Sequence, residues 1–149
     1  NQHSKQVETY SNEKNLDCMK ISAKIESEIS SFKLESEKTE FLESLGLRET
    51  SLSRLISKGY EILDLITFFT SGPKESRAWS IKKGTFAPDA GAKIHTDFKT
   101  GFIKAEVISY EDFVKFNGEA KCKENGRLKL EGKEYIVNDG DVITFRFNV

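Results

Sequence analysis

This chain is poor in cysteine and proline and carries no dominant charge, and each shortage narrows what it can be. Cys18 and Cys122 are its two cysteines. They stand far apart and in no CxxC or Cys/His spacing, which argues against a disulfide-stapled scaffold and a zinc ligand set; they read as free thiols of a reducing, cytoplasmic compartment. No apolar run approaches the ~20 residues that a bilayer span requires, and the polar start NQHSKQVE contains no signal-peptide core. The composition reads as a soluble protein without a membrane partner. Residues 1–66 hold 9 Lys/Arg against 12 Asp/Glu and residues 67–149 hold 14 against 12, too small a basic excess for a dedicated nucleic-acid binder. Any electrostatic partner must meet a local patch. A glycine-rich phosphate cradle, GxxxxGK followed by Ser or Thr, does not occur in the sequence, so its residues supply no backbone nest or lysine for nucleotide phosphates.

With 37% hydrophobic residues over 149 positions, the chain suffices for a small domain plus an appendage. Asn1 to Asn15 offers little to bury and is expected to be frayed or borrowed from a neighbouring element. Leu16 to Ile21 fits a short strand. Two amphipathic helices follow, over Ser36 to Leu45 with Gly46 as C-terminal cap, and from Ser51 to about Leu65 with Thr50 or Ser51 as N-cap.

From Leu65 the pattern changes period. Leu65 to Thr70 is rich in β-branched and aromatic residues, Gly72-Pro73 breaks it, and Arg77, Trp79 and Ile81 alternate with Ala78 and Ser80, predicting two strands across one turn. Pro88 to Thr96 predicts a helix with Pro in its first turn, weakened by Gly91. Ile103, Ala105 and Val107 alternate with Lys104 and Glu106 as a half-buried strand, and Ser109 fits the cap of a short helix carrying Phe113, Val114 and Phe116. Glu119 to Asn125 reads as a helical turn ending at Gly126, and Leu128 to Leu130 and Tyr135 to Val137 as short strands about Glu131-Gly132. The Asp139-Gly140 pair predicts a closing hairpin whose last strand carries Ile143, Phe145, Phe147 and Val149 on one face. Together these predict an α+β architecture.

Several strings in this part, FFTSGPKESRAW (68–79), KGTFAP (83–88), IHTDFKTGFIKAEVI (94–108), YEDF (110–113), EGKEYIVNDGDV (131–142) and the final FRFNV (145–149), closely resemble the C-terminal part of the Obg-like ATPase (YchF) family. The resemblance implies that residues 65–149 form a TGS domain, a β-grasp or ubiquitin-like fold. In that fold the last strand lies parallel to the first, clasping a helix against the sheet. It also implies that residues 1–64 are the C-terminal remnant of an α/β P-loop nucleotide-binding domain. The parent would be a cytoplasmic, ribosome-associated hydrolase that uses ATP with Mg in preference to GTP, and this chain would be a fragment lacking the N-terminal ATPase core. The apolar faces of helices 36–65 would then be uncovered and prone to self-association.

Candidate site residues follow from two places. Ser22-Ala23-Lys24, in the string SAKIE, resembles the base-contacting loop of P-loop domains; taken alone, the same residues also read as an N-capping Ser before a helix with Ile25, Ile29 and Phe32 on one side. Arg77, Lys82, Lys83, Lys93, Lys99 and Lys104 are interleaved with Trp79, Phe86 and Phe98, a mixture that neutralises phosphates while rings stack on bases, or else a solvated rim with the rings turned inward. The expectation is a face that binds ribosomal RNA or protein. No catalytic residue and no metal site is expected: His95 and Asp97 stand at i and i+2, which diverge by about 200° within a helix. The alternative reading is a stand-alone ubiquitin-like interaction domain for protein or RNA, without nucleotide chemistry.

Overall fold

The computed structural model describes residues 2–148 and divides into two compact units, Asn1–Gly59 and Tyr60–Val149. In the first, Gln2–Glu13 form helix α1, correcting the expected fraying for the described residues; Asn1 lies outside them. The stretch holds neither Gly nor Pro, so nothing in it breaks a helix. Asn15 ends it in the left-handed conformation (φ 53°), Leu16 N–H donates to Ser11 O at 2.8 Å, and Glu8 pairs with Lys20. The strand expected over Leu16 to Ile21 is absent: the segment is irregular, since an isolated strand leaves its peptide groups without a ladder.

Ala23–Ser31 (α2), Glu35–Ser44 (α3) and Ser51–Ile62 (α4) complete the helices here. Gly46 caps α3 with φ +68° while Leu47 N–H returns to Leu42 O at 2.9 Å, the glycine-dependent closure the sequence predicts. Glu26 reaches the start of α4, accepting from Ser51 N–H at 2.7 Å, where a negative charge complements the helix dipole. Ile29 and Leu42 are buried, and Phe32 packs on Phe41 with ring centroids 5.2 Å apart.

The second unit is built on a five-stranded sheet of Leu65–Ser71 (β1), Ser76–Lys82 (β2), Phe102–Ser109 (β3), Lys129–Glu131 (β4) and Asp141–Phe147 (β5), in the order β2-β1-β5-β3-β4. β5 runs parallel to β1 with Phe69 opposite Val142, and antiparallel to β3. This is the mixed sheet of a β-grasp, with the last strand between the first and third. Ala87–Ala92 (α5) and Thr96–Thr100 (α6) lie on one face, so the helix expected over Pro88 to Thr96 is two short pieces. Their residues close a core of Ile66, Phe68, Ile81, Ala90, Phe102, Ala105, Val107, Ile143 and Phe145. Gly91 belongs in α5 despite its low propensity, because a Cβ there would meet Phe98 Cβ at 3.2 Å and a Phe145 ring carbon at 3.3 Å. On the opposite face Ile108 and Val142 are buried too, beneath Tyr110–Lys115 (α7) and Glu119–Glu124 (α8). Glu119 accepts from Thr144 Oγ1, and Tyr110 packs on Phe69 at 5.7 Å. Ser109 caps α7, accepting from Asp112 N–H at 3.2 Å.

Three further sequence expectations are corrected. Ile103 is 57% exposed, because Phe102 opposes Phe147 while Lys104 opposes Arg146; Ile103 is the extra residue of a bulge, which shifts the alternation so that Phe102, Ala105 and Val107 all face the core. Tyr135 to Val137 does not pair with β4, which joins β3 instead; a single bridge links Ile136 to Phe86. Nor does Asp139-Gly140 close a hairpin. Thr67 N–H donates to Asp139 Oδ1 at 2.7 Å and Gly140 N–H to Thr67 O at 2.8 Å, so the turn docks on β1 and launches β5 beside it. Val149 lies outside the described residues.

Across β3 and β5, Arg146 Nη2 donates to Glu106 Oε2 at 2.9 Å. That hydrogen bond, with the positive charges of Arg146, Lys104 and Lys123, holds the Glu106 carboxyl below its ordinary range although partial burial pushes the other way. A depressed carboxyl contributes stability that is present above its unfolded pKa and lost as pH falls through the folded value. Thermal midpoints are therefore expected to fall below about pH 5, and Glu106→Gln to lower the neutral-pH midpoint while flattening that acid slope; parallel slopes in the two proteins would refute the assignment.

Candidate functional site

Ser22 stands at the N-cap of α2 (φ −109°, ψ 103°), and its Oγ accepts from Ile25 N–H at 3.4 Å. Ala23 and Lys24 are exposed; Lys24 comes no closer than 4.0 Å to Glu28. Ser22 borders an open depression of about 530 Å³ shared with Cys18, Met19, Ile21 and Arg54. The capping role is therefore realised, and the loop leaves small side chains and an open approach at its tip. It holds no phosphate cradle, so the residues present do not by themselves fit ATP with Mg. No group of three His, Cys, Asp or Glu side chains is placed to hold a metal ion among the described residues.

His95 and Asp97 do meet, contrary to the helical argument, because His95 is the N-cap of α6 and lies outside it in extended conformation (φ −157°, ψ 143°). Its Nδ1 is 3.2 Å from Asp97 Oδ2 and accepts from Asp97 N–H at 3.3 Å. Both side chains are at least half exposed. The pair starts a helix that carries Phe98 onto Phe147, with ring centroids 3.8 Å apart. Gly101 then allows the chain to cross β5: an added Cβ would sit 1.8 Å from Asn148 O. The HTDFKTG string thus acts as a brace for the sheet.

The six candidate cations do not share one face. By strand alternation Arg77 lies on the face of Trp79 and buried Ile81, whereas Lys82 lies on the other. The Arg77 guanidinium carbon sits 4.2 Å from the Trp79 ring centroid. Lys82 Nζ donates to Leu63 O at 2.6 Å. Lys104 is on the face opposite the core, 3.9 Å from Glu106, and Lys99 pairs with Asp89 at 2.5 Å. Lys83 and Lys93 are exposed and make no ion pair among the described residues. Of the three rings, Trp79 is half-buried with Nε1 donating to Thr70 Oγ1 at 3.0 Å, and Phe98 is packed on Phe147. Phe86 remains 44% exposed.

Sequence reasoning missed a polar cluster that organises the approach to β5. Asp141, 6% exposed, accepts from Tyr135 Oη at 2.7 Å and from Asn138 N–H at 2.8 Å, and Asn138 Nδ2 donates to Tyr135 Oη at 2.9 Å. Burial, then the carboxylate, pushes the Tyr135 hydroxyl well above its ordinary pKa, so it stays a donor. All three residues fall in the EGKEYIVNDGDV string, the one signal that could have marked them.

Residues 65–148 match the family YchF-GTPase_C, described as a protein of unknown function (DUF933). The chain is 57% identical over 129 residues to the "Ribosome-binding ATPase YchF" of Haemophilus influenzae, covering 87% of this chain and 35% of that protein. With the protein of the same name from Bacillus subtilis it shares 48% identity over 149 residues, all of this chain and 40% of that one. The YchF GTPase of Schizosaccharomyces pombe superposes with a TM-score of 0.81 at 32% identity, over 97% of this chain and 38% of the other. A GTP binding protein of Pyrococcus horikoshii shares the fold, with a TM-score of 0.61 at 18% identity. The chain spans 35–40% of the length of these curated relatives, and with the family match over residues 65–148 and the superposition over 97% of the chain, it belongs to the YchF family.

Proposed function

We propose that this chain is the ribosome-directed binding and regulatory part of a nucleotide-hydrolysing YchF protein: residues 1–64 complete a nucleotide-binding domain and residues 65–149 form its TGS domain. The observation that carries this reading is the 48% identity along the entire chain to a protein named a ribosome-binding ATPase. In the assembled, cytoplasmic protein, ATP with Mg would be held by residues outside this sequence, with Ser22, Ala23 and Lys24 contributing at most the edge of the base. Release of phosphate from ATP by the chain itself, above the buffer rate, would reverse that division of labour.

Ribosome contact is assigned to the exposed cations, foremost Lys83 and Lys93, which no carboxylate neutralises among the described residues. Arg77, Lys82, Lys99 and Lys104 are already engaged by a ring, a carbonyl or a carboxylate and contribute charge rather than a free hand. Lys83→Glu with Lys93→Glu is expected to weaken ribosome cosedimentation on the order of tenfold at low salt and less at high salt. Unchanged sedimentation across the salt series would dismiss the assignment. The exposed Leu52, Leu55 and Ile56 of α4 support docking of this face on the remainder of the protein, and self-association without it. Sedimentation velocity should then show dimers or larger species that Leu55→Glu with Ile56→Glu disperses.

A further inference from the structure

The two edges of the sheet are built differently. β4 is three residues long, the short kind of edge that discourages pairing. β2 is seven residues long, pairs with β1 alone among the described residues in an unbroken register from Ser76 to Lys82, and contains neither proline nor bulge. Of the usual protections only edge charge is present.

The direction of its peptide groups follows from the ends of the ladder. Gly72 N–H donates to Glu75 O at 2.9 Å and Lys83 N–H to Asp64 O at 2.8 Å. Antiparallel partners alternate between hydrogen-bonded and non-hydrogen-bonded pairs, so Arg77, Trp79 and Ile81 turn their N–H and C=O groups toward β1. Ser76, Ala78, Ser80 and Lys82 turn theirs outward. Ser76, Ala78 and Ser80 are all exposed and small; the Tyr60 hydroxyl lies 2.8 Å from Ser80 Oγ, a side-chain contact that leaves the outward peptide groups of Ser76 and Ala78 uncovered by it. The edge is also basic: between Lys74 and Lys83 stand four cations and one carboxylate, Glu75. Two copies of this edge would set like charges together, which disfavours pairing with a second copy.

We infer that the outer edge of β2 is a docking strand for an extended, acidic segment of a partner protein, which joins the sheet as a sixth strand through the outward N–H and C=O groups of Ala78 and Ser80. Main-chain pairing supplies affinity, and the positive charge of Arg77, Lys82 and Lys83, of which the first two are already held by the Trp79 ring and Leu63 O, favours carboxylates beside the added strand. This inference stands apart from the ribosome reading, which could fail without affecting it.

The test is amide hydrogen exchange on the whole chain, with and without a synthetic peptide of alternating Asp and Val. At saturation the amides of Ala78 and Ser80 are expected to slow on the order of tenfold or more, while those of Trp79 and Ile81, already in the ladder, change little. Ala78→Pro removes an outward N–H that β1 does not use and is tolerated on an edge; with its thermal midpoint confirming the fold, it should abolish the peptide effect. Should that variant melt early, Arg77→Glu with Lys82→Glu provides the second arm and is expected to weaken peptide binding at low salt. Unchanged exchange at Ala78 and Ser80, peptide binding that survives Ala78→Pro, or protection of these amides by a single-stranded RNA oligomer and not by the peptide would each overturn the inference. So would their protection by dimerisation of the chain alone.

Discussion

Removing residues 142–149 is expected to abolish cooperative unfolding of the second unit, although the excised piece is only eight residues of 149. β5 is central. Its removal takes Ile143 and Phe145 out of the core and Val142 out of the opposite face, all under 8% exposed, and breaks two ladders at once, the parallel pairing with β1 and the antiparallel one with β3. What would remain is the β1–β2 hairpin and the β3–β4 pair with no strand between them, and isolated two-stranded ribbons are marginal in water. Circular dichroism and calorimetry of the truncated chain should show no sharp transition beyond that of the first unit. A soluble truncate melting cooperatively near the intact midpoint would contradict the topology, because it would mean that β1 and β3 hold together without β5.

The second large effect is expected at Phe68. Its side chain is fully buried, edge-on to Phe145 at 5.9 Å and stacked near Trp79 at 6.5 Å, in the middle of the cluster that joins β1, β2 and β5. Replacing it with alanine leaves a cavity that rigid strands on both sides cannot close, at a cost of about 3–5 kcal/mol. For a unit of this size that lowers the thermal midpoint by roughly 15 °C or more. Ile103→Ala is the informative control. Simple strand alternation puts Ile103 in the same core and predicts a comparable loss, whereas the bulge puts it outside, so the expected cost is below about 1 kcal/mol. Equal losses at Phe68 and Ile103 would refute the register of β3 on β5. A small loss at Phe68 would mean that the aromatic cluster is not the core of the unit.

Both expectations show where reading the sequence succeeds. The β-branched and aromatic composition of Leu65 to Thr70 and the period-two alternation in Arg77 to Ile81 located β1 and β2, since a strand's own side chains carry both signals. Capping residues did the same for the ends of helices: Gly46, Ser109 and Thr50 act through bonds to neighbours three to five positions away, which lie within the reach of local inspection. The candidate cations were equally legible as residues, but not as a surface. Whether a lysine is free depends on what stands opposite it in space, and Asp89 beside Lys99, Leu63 beside Lys82 and the Trp79 ring beneath Arg77 are decided by the fold. His95 makes the same point. The i, i+2 rule holds inside a helix and fails at its cap, and only the backbone angles show which applies.

By itself, then, the sequence determined most of the helical and extended segments from Ser36 onward, the mixed α+β class, and through its long motif strings the YchF family, because each of these is written in local pattern or in ordered identity. The tertiary structure alone decided the bulge that expels Ile103, the use of Asp139 and Gly140 to dock on β1 instead of closing a hairpin, the polar cluster about Asp141, and the open edge of β2. These depend on hydrogen bonds between residues as much as 72 positions apart, whose partners no local pattern specifies.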